Sequence, residues 1–200
     1  DEFIHSFGHI AIGYLRYYLQ KQQMFEHCLE DAKNGNSRAQ VVKRVEKELF
    51  EKYKDETLDV KPKELELRGG AYYSDAACNL ISSLYNDKGD IQVVDTLNKG
   101  AISNLPDDVV VEVNCKITKD GPVPQPVGEL PLQIIGLVQQ LKAFEILTTK
   151  VALSGNYNDA LVAMTINPLV QSEETAKKIL DEMLEAHKKY LPQFAEYFSK

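Results

Sequence analysis

The sequence predicts an α+β (mixed α/β) domain, with helices packed on a mostly antiparallel sheet, and three observations carry that prediction. Apolar residues recur at helical spacing in the first third of the chain and again from Pro131 onward. Between them the period changes to alternation, most clearly at Val109, Val111 and Val113 against Val110, Glu112 and Asn114. No internal repeat or low-complexity stretch interrupts this order. At 200 residues the chain is long enough for one good core, and one compact domain is the simplest expectation.

The first segment places Phe3, Phe7, Ile10, Ala11, Tyr14, Leu15 and Tyr18 on a helical stripe that Gly8 and Gly13 interrupt, so a broken helix or two short ones are expected. Asn34 to Ser37 form a turn whose serine caps the next helix, where Val42, Val45, Leu49, Phe50 and Tyr53 share a side and the many Lys and Glu residues read as a solvated face. A further helix carries Ala77, Leu80, Ile81, Leu84 and Tyr85. The runs DIQVVDTLNKGAI and DVVVEVNCKITKDGPVP supply the sheet, and KDGP closes the second with a turn. A long helix follows, with Ile134, Leu137, Val138, Leu141, Phe144, Leu147 and Val151 on its stripe and Gly155 as its stop. DALVAMTI is a short helix halted before Pro168. The last helix starts at Ser172, has Glu173 and Glu174 where the dipole favours them, and offers Ala176, Ile179, Leu180, Met183 and Leu184 to a core.

Composition narrows the function. With 23 basic against 30 acidic residues and no basic block, the balance argues against a nucleic-acid partner. No apolar run approaches the roughly 18–20 residues that span a bilayer, and DEFIHSFGHI is not a signal peptide, which points to the cytoplasm and to no membrane partner. Cys28, Cys78 and Cys115 are odd in number and far apart, and read as reduced, packed thiols. His5 and His9, an i, i+4 pair without a Glu or Cys in a ligand pattern, read as surface residues, as do His27 and His187. No phosphate loop of the Walker or dinucleotide type occurs.

One stretch stands apart. RGGAYYSD, Arg68 to Asp75, sets a cation, two glycines and two phenols ahead of a helix. Glycines admit a ligand to the backbone, the helix start offers N–H groups and partial positive charge, and an arginine binds anions bidentately. Together they describe a cradle for an anionic substrate; the competing reading is a glycine turn leading into a helix, with Tyr72 and Tyr73 as packed rings. A tyrosine serves as a base only if its pKa, about 10 in water, is lowered by nearby positive charge.

GYLRYY, LRGGAYYSDAACNLISSLYND, VDTLNKGAI, VEVNCKITKDGP, LVQQLKAFE, YNDALVAMTINPLV and LDEMLEAHKKYLPQF, in this order, resemble the C-terminal part of 6-phospho-β-glucosidases of glycoside hydrolase family 4. The resemblance implies that residues 1–200 form a C-terminal catalytic or substrate domain, similar in fold to the C-terminal domains of lactate and malate dehydrogenases. In that family an N-terminal Rossmann half binds NAD and supplies a cysteine and a histidine to a divalent metal, usually manganese. Neither region is present here, and the chain opens at Asp1 without a methionine, so a trimmed fragment, inactive alone, is expected.

The implied chemistry departs from the two-carboxylate scheme. NAD oxidises the sugar's C3 hydroxyl, the metal polarises the ketone, a base removes the C2 proton, the aglycone leaves C1, water adds and the hydride returns. By position the resemblance assigns the base to Tyr73, with Tyr72 as the alternative, an anion-binding or metal-site role to Arg68, and a place near the sugar phosphate to Asn98. Leu97 stands where several relatives carry a phosphate-contacting arginine. The substrate implied is a phosphorylated disaccharide or aryl glucoside, and the assembly a dimer or tetramer, with GYLRYYL and the C-terminal helix as candidate contacts. Other readings are a 6-phospho-α-glucosidase or α-galactosidase of the same family, or a non-catalytic helical oligomerisation module.

Overall fold

The computed structural model describes residues 2–9, 12–69, 72–170 and 172–199. Ile10, Ala11, Gly70, Ala71 and the side chain of Phe3, read above as parts of the apolar stripe and the glycine motif, lie outside the described residues. The chain divides into two compact units: Asp1–Ala11 with Asp95–Val113 and Pro126–Lys200, and Ile12–Val94 with Asn114–Gln125. Neither unit is continuous in sequence, because the two long strands each contribute residues to both.

The sheet has three strands in the order β1 (Ile91–Leu97), β2 (Val110–Thr118), β3 (Gly121–Pro124). The Ile117 N–H donates to Asp90 O at 2.9 Å and the Asn98 N–H to Val109 O at 2.8 Å, so β1 and β2 run antiparallel. Strands β2 and β3 form a hairpin in which Cys115 faces Pro124 and Thr118 faces Gly121. The alternation expected from sequence is real: Val109, Val111, Val113, Cys115 and Ile117 are all buried, while Val110, Glu112, Asn114 and Lys116 are exposed.

In the unit that contains Ile12–Val94, a 3₁₀ turn at Gly13–Leu15 runs into α2 (Arg16–Leu19), followed by α3 (Lys21–Lys33), α4 (Arg38–Lys52), α5 (Glu64–Arg68) and α6 (Tyr73–Asn86). Ser37 caps α4 as expected, and a reciprocal bond from the Ser37 N–H to Gln40 Oε1, 3.0 Å, completes a capping box. Val45 and Leu49 are buried, whereas Phe50 and Tyr53 on the same stripe stay exposed. Helix α6 is fixed to the start of β1 by polar contacts: Ser83, fully buried, donates to Asp90 Oδ2 at 3.0 Å, and Gln92 Nε2 reaches both at 2.8 and 3.0 Å. Its apolar residues Ile81 and Tyr85 face outward.

The other unit holds α1 (Glu2–Phe7), α7 (Leu132–Ser154), α8 (Tyr157–Ile166), α9 (Glu173–His187) and, after two 3₁₀ turns, α10 (Ala195–Phe198). The break foreseen at Gly8 is present, since α1 ends at Phe7 and Gly8 has φ +76. Asn156 and Ser172 cap α8 and α9, and Gly155 ends α7 in the left-handed conformation. Ala160, Leu180, Leu184 and Phe194 form the core, joined by Val151, Tyr157, Leu161, Leu191, Tyr197 and Phe198. Of the α9 stripe, Ile179 and Met183 are exposed rather than buried: they lie on the solvent side of a face whose width is taken by Ala176, Leu180 and Leu184.

A polar cluster ties the C-terminal segment to this core. Asp181 accepts from the Tyr157 hydroxyl at 2.7 Å, from the Tyr197 hydroxyl at 3.3 Å and from Lys177 Nζ at 2.5 Å, while the two tyrosine rings stack with centroids 4.8 Å apart. Lys177 first, then Tyr157, holds the Asp181 carboxyl below the usual carboxylate range. Of the cysteines only Cys115 is buried; Cys28 and Cys78 are exposed, which corrects the reading of three packed thiols. Among the described residues no helix is long and apolar enough to cross a membrane.

Candidate active site

Helix α6 begins at Tyr73, with Tyr72 as its N-cap and no side chain closing the first N–H groups. The Tyr72 carbonyl accepts from the Ala76 N–H at 2.9 Å, which closes the first turn of the helix. The rings are 77% and 79% exposed, so the reading of Tyr72 and Tyr73 as packed core residues does not hold. The ammonium of Lys61 lies 5.6 Å from the centre of the Tyr72 ring, a cation–π contact that leaves Tyr73 the less engaged of the two.

Arg68 is the last residue of α5, and its guanidinium is already occupied: Nε and Nη2 donate to Glu46 Oε1 at 3.0 and 2.8 Å. This ion pair anchors Arg68 to α4. Two further contacts join the same helices. Lys52 pairs with Glu64 at 2.6 Å and holds that carboxyl below its ordinary range, and Arg38 donates to the carbonyls of Leu67, at 2.7 Å, and of Arg68. The charged face of α4, expected to be merely solvated, therefore grips α5 at three points. Gly69 follows with φ +96 and ψ 162, a conformation that favours glycine and turns the chain out of α5.

Asn98 belongs to the other unit and is fully buried. Its amide nitrogen donates to the carbonyls of Ile102, Leu105 and Pro106 at 2.9, 3.1 and 3.0 Å, and its oxygen accepts from the Ile102 N–H at 2.7 Å. The Asn98 side chain is thus spent on the backbone that links β1 to β2, and it shapes that loop. Asn98→Ala removes every one of these partners and should lower unfolding free energy by about 2–3 kcal/mol, read as a shift of the denaturant midpoint. Leu97 beside it is exposed at the end of β1.

No group of three His, Cys, Asp or Glu residues able to hold a metal occurs among the described residues. The His5 and His9 pair is split by the end of α1, and His9 packs edge-on against Phe7 at 6.1 Å. This chain's own described side chains therefore do not make a metal site.

The α+β fold thus presents two open phenols at the head of α6, a few residues after the Gly69 turn. The chain belongs to glycosyl hydrolase family 4: the family 4 glycosyl hydrolase C-terminal domain matches residues 1–170. It is 60% identical over 193 residues, 96% of this chain, to the probable 6-phospho-beta-glucosidase of Bacillus subtilis, of which it spans 44%. The solved 6-phospho-beta glucosidase of Thermotoga maritima with manganese, NAD+ and glucose-6-phosphate superposes with a TM-score of 0.85 at 38% identity, covering 95% of this chain and 45% of that one. A 6-phospho-alpha-glucosidase from gut microorganisms, in complex with NAD and glucose-6-phosphate, follows at a TM-score of 0.75 and 31% identity, covering 90% of this chain and 40% of that one. The chain thus spans less than half the length of the proteins it matches, and the family and fold expected from its sequence are borne out.

Proposed function

We propose that this chain is the C-terminal, substrate-side part of a 6-phospho-β-glucosidase, and that Tyr73 is its base. The observation that carries the reading is the placement of Tyr73, open at the first position of α6 behind the Gly69 turn, in a chain 60% identical to a probable 6-phospho-beta-glucosidase. The β-glucoside is favoured over the α-glucoside because both identity and TM-score are higher to the β-acting relatives, 38% and 0.85 against 31% and 0.75 among the solved structures.

The described residues hold neither a metal cluster nor a nucleotide loop, so NAD and a divalent metal, the components of the solved relative, would be held by an N-terminal half. The part of this chain is the proton. With C3 held as a ketone, the oxidation that NAD would supply when bound, the hydrogen at C2 is acidic: the Tyr73 phenolate takes it as a proton, the C2–H electron pair forms the C1–C2 double bond, and the C1–O bond breaks with its pair on the aglycone oxygen. Water then adds its oxygen at C1 and gives up a proton to the aglycone oxygen, and the Tyr73 phenol returns its proton to C2, leaving the phenolate as it began. The Arg68 guanidinium is paired with Glu46, so the positive charge that makes the phenol acidic would come mainly from the other half. Arg68 acts instead by fixing the end of α5. The substrate would be a phosphorylated disaccharide or aryl glucoside, turned over in the cytoplasm by a homodimer or homotetramer; the exposed thiols of Cys28 and Cys78 support a reducing compartment.

The test uses a polypeptide joining this chain to the N-terminal half of the Bacillus subtilis relative. In deuterium oxide it should release glucose 6-phosphate carrying deuterium at C2, seen by NMR, while the 200-residue chain alone shows no turnover. Cleavage with hydrogen retained at C2 would overturn the assignment.

A further inference from the structure

We infer that the outer face of α6 is the docking surface for the N-terminal, cofactor-holding half of the enzyme, an inference that rests on the reading above. Tyr73, Ala77, Ile81 and Tyr85, four residues apart, form one row along the helix, and all are exposed, Ile81 at 65% and Tyr85 at 88%. Ser74 and Cys78 lie beside them and are exposed too. Of the 14 residues of α6 only Ser83 is buried. A helix of this length is marginal by itself in water, since helices below roughly 12–15 residues draw their stability from packing an apolar face. The polar ties that hold it, Ser83 and Gln92 with Asp90, and Asp87 accepting from the Lys119 N–H at 2.9 Å, sit toward its C-terminal end. Residues 72–79, the end that carries Tyr73, are all exposed.

Two bodies could cover this row, the remainder of the polypeptide or a second copy of this chain. In the Bacillus subtilis relative more than half of the length lies outside the match, and the matching family domain is a C-terminal one, so the larger part of that relative precedes it. On the reading above, the groups that activate Tyr73 are held there. Because Tyr73 is the first residue of the row, whatever brings those groups to the base also meets the head of α6. A second copy brings only the same described side chains, which include no metal cluster. The row suits a close fit as well: Ser74, Ala77 and Cys78 are small enough for a partner backbone to approach, and Ile81 and Tyr85 offer apolar anchors.

Cys78 reports the contact directly, because its thiol is exposed in this domain and would be covered by the docked half. In the joined polypeptide described above, its alkylation by N-ethylmaleimide, read by mass spectrometry of the α6 peptide, should be at least about tenfold slower than in the same polypeptide unfolded in urea. Ile81→Glu sets a charge in the row without entering the core of its own unit; it should bring the Cys78 rate to within about threefold of the unfolded value and lower kcat with it. Native and unfolded rates that agree in the parent overturn the inference, as does protection that survives Ile81→Glu unchanged. Protection lost on about a hundredfold dilution assigns the row to a second copy and overturns it equally. The parent measurement needs no substitution, so it decides the matter even where Ile81→Glu does not fold. A parent that protects Cys78 but shows no turnover counts against the proposed function and leaves the docking surface standing.

Discussion

Tyr73→Phe in the joined polypeptide is expected to lower kcat by roughly 10²- to 10⁴-fold, the range that a positioned general base contributes, with KM little changed. The substitution removes one oxygen and nothing else. Because the Tyr73 ring is 79% exposed, no core packing depends on that oxygen, so the melting temperature should be the same as that of the parent. Exchange of the C2 hydrogen with solvent should fall together with turnover, which separates a lost base from a lost substrate contact. Tyr72→Phe is the control: its ring lies beside Lys61 and its removal of a hydroxyl should leave kcat within about threefold, since a contact through the ring face survives the change. A Tyr73→Phe enzyme of parental kcat would move the base elsewhere, and Tyr72 would be the next residue to test.

Signals carried within a few residues were legible in the sequence. Ser37 and Ser172 cap the helices they precede, Gly155 ends α7, and the valines of β2 alternate between core and solvent. Each of these features is decided by local backbone geometry, which the residue type reports directly. What the sequence hid was partnership over distance. Arg68 looks free until Glu46, 22 positions earlier, is seen to hold it, and Arg38 looks like one more charge on a solvated helix. Asn98 shows the same limit from the other side, since a polar residue in a loop reads as exposed unless its four backbone partners are known. Helix α3 carries Met24, Phe25, Cys28, Leu29 and Ala32 at helical spacing, yet none of its residues is buried. The two units were illegible for a similar reason: each is assembled from separated segments, so no linker marks the boundary. The candidate base came from the family resemblance, by its place before Ser74, while the contacts that tie α4 to α5 just ahead of it were not legible.

Gly155→Ala should be the most damaging single substitution in the helical unit, lowering stability by roughly 3–5 kcal/mol. Two costs combine. Gly155 has φ +66, where a side chain strains the backbone, and a Cβ built there would lie 1.8 Å from Gln193 O and 2.9 Å from Phe194 N. Those are main-chain atoms, which cannot swing aside as the end of a long side chain can. Relief requires residues 192–194 to lift off the end of α7, and Phe194 would leave the core it shares with Ala160, Leu180 and Leu184. The segment at stake lies beyond the 1–170 match to the family domain, yet it closes a core that Ala160, inside the match, helps to form. Gly136→Ala is the opposite case: it sits inside α7 with nothing within 4 Å of the added carbon, so the better helix former should stabilise by up to about 1 kcal/mol. Denaturant midpoints of the two variants should therefore move in opposite directions, and amide protection over residues 188–198 should fall only in Gly155→Ala. Equal midpoints would mean that the C-terminal segment is not held against α7 in solution, and that the Asp181 cluster alone does not fasten it.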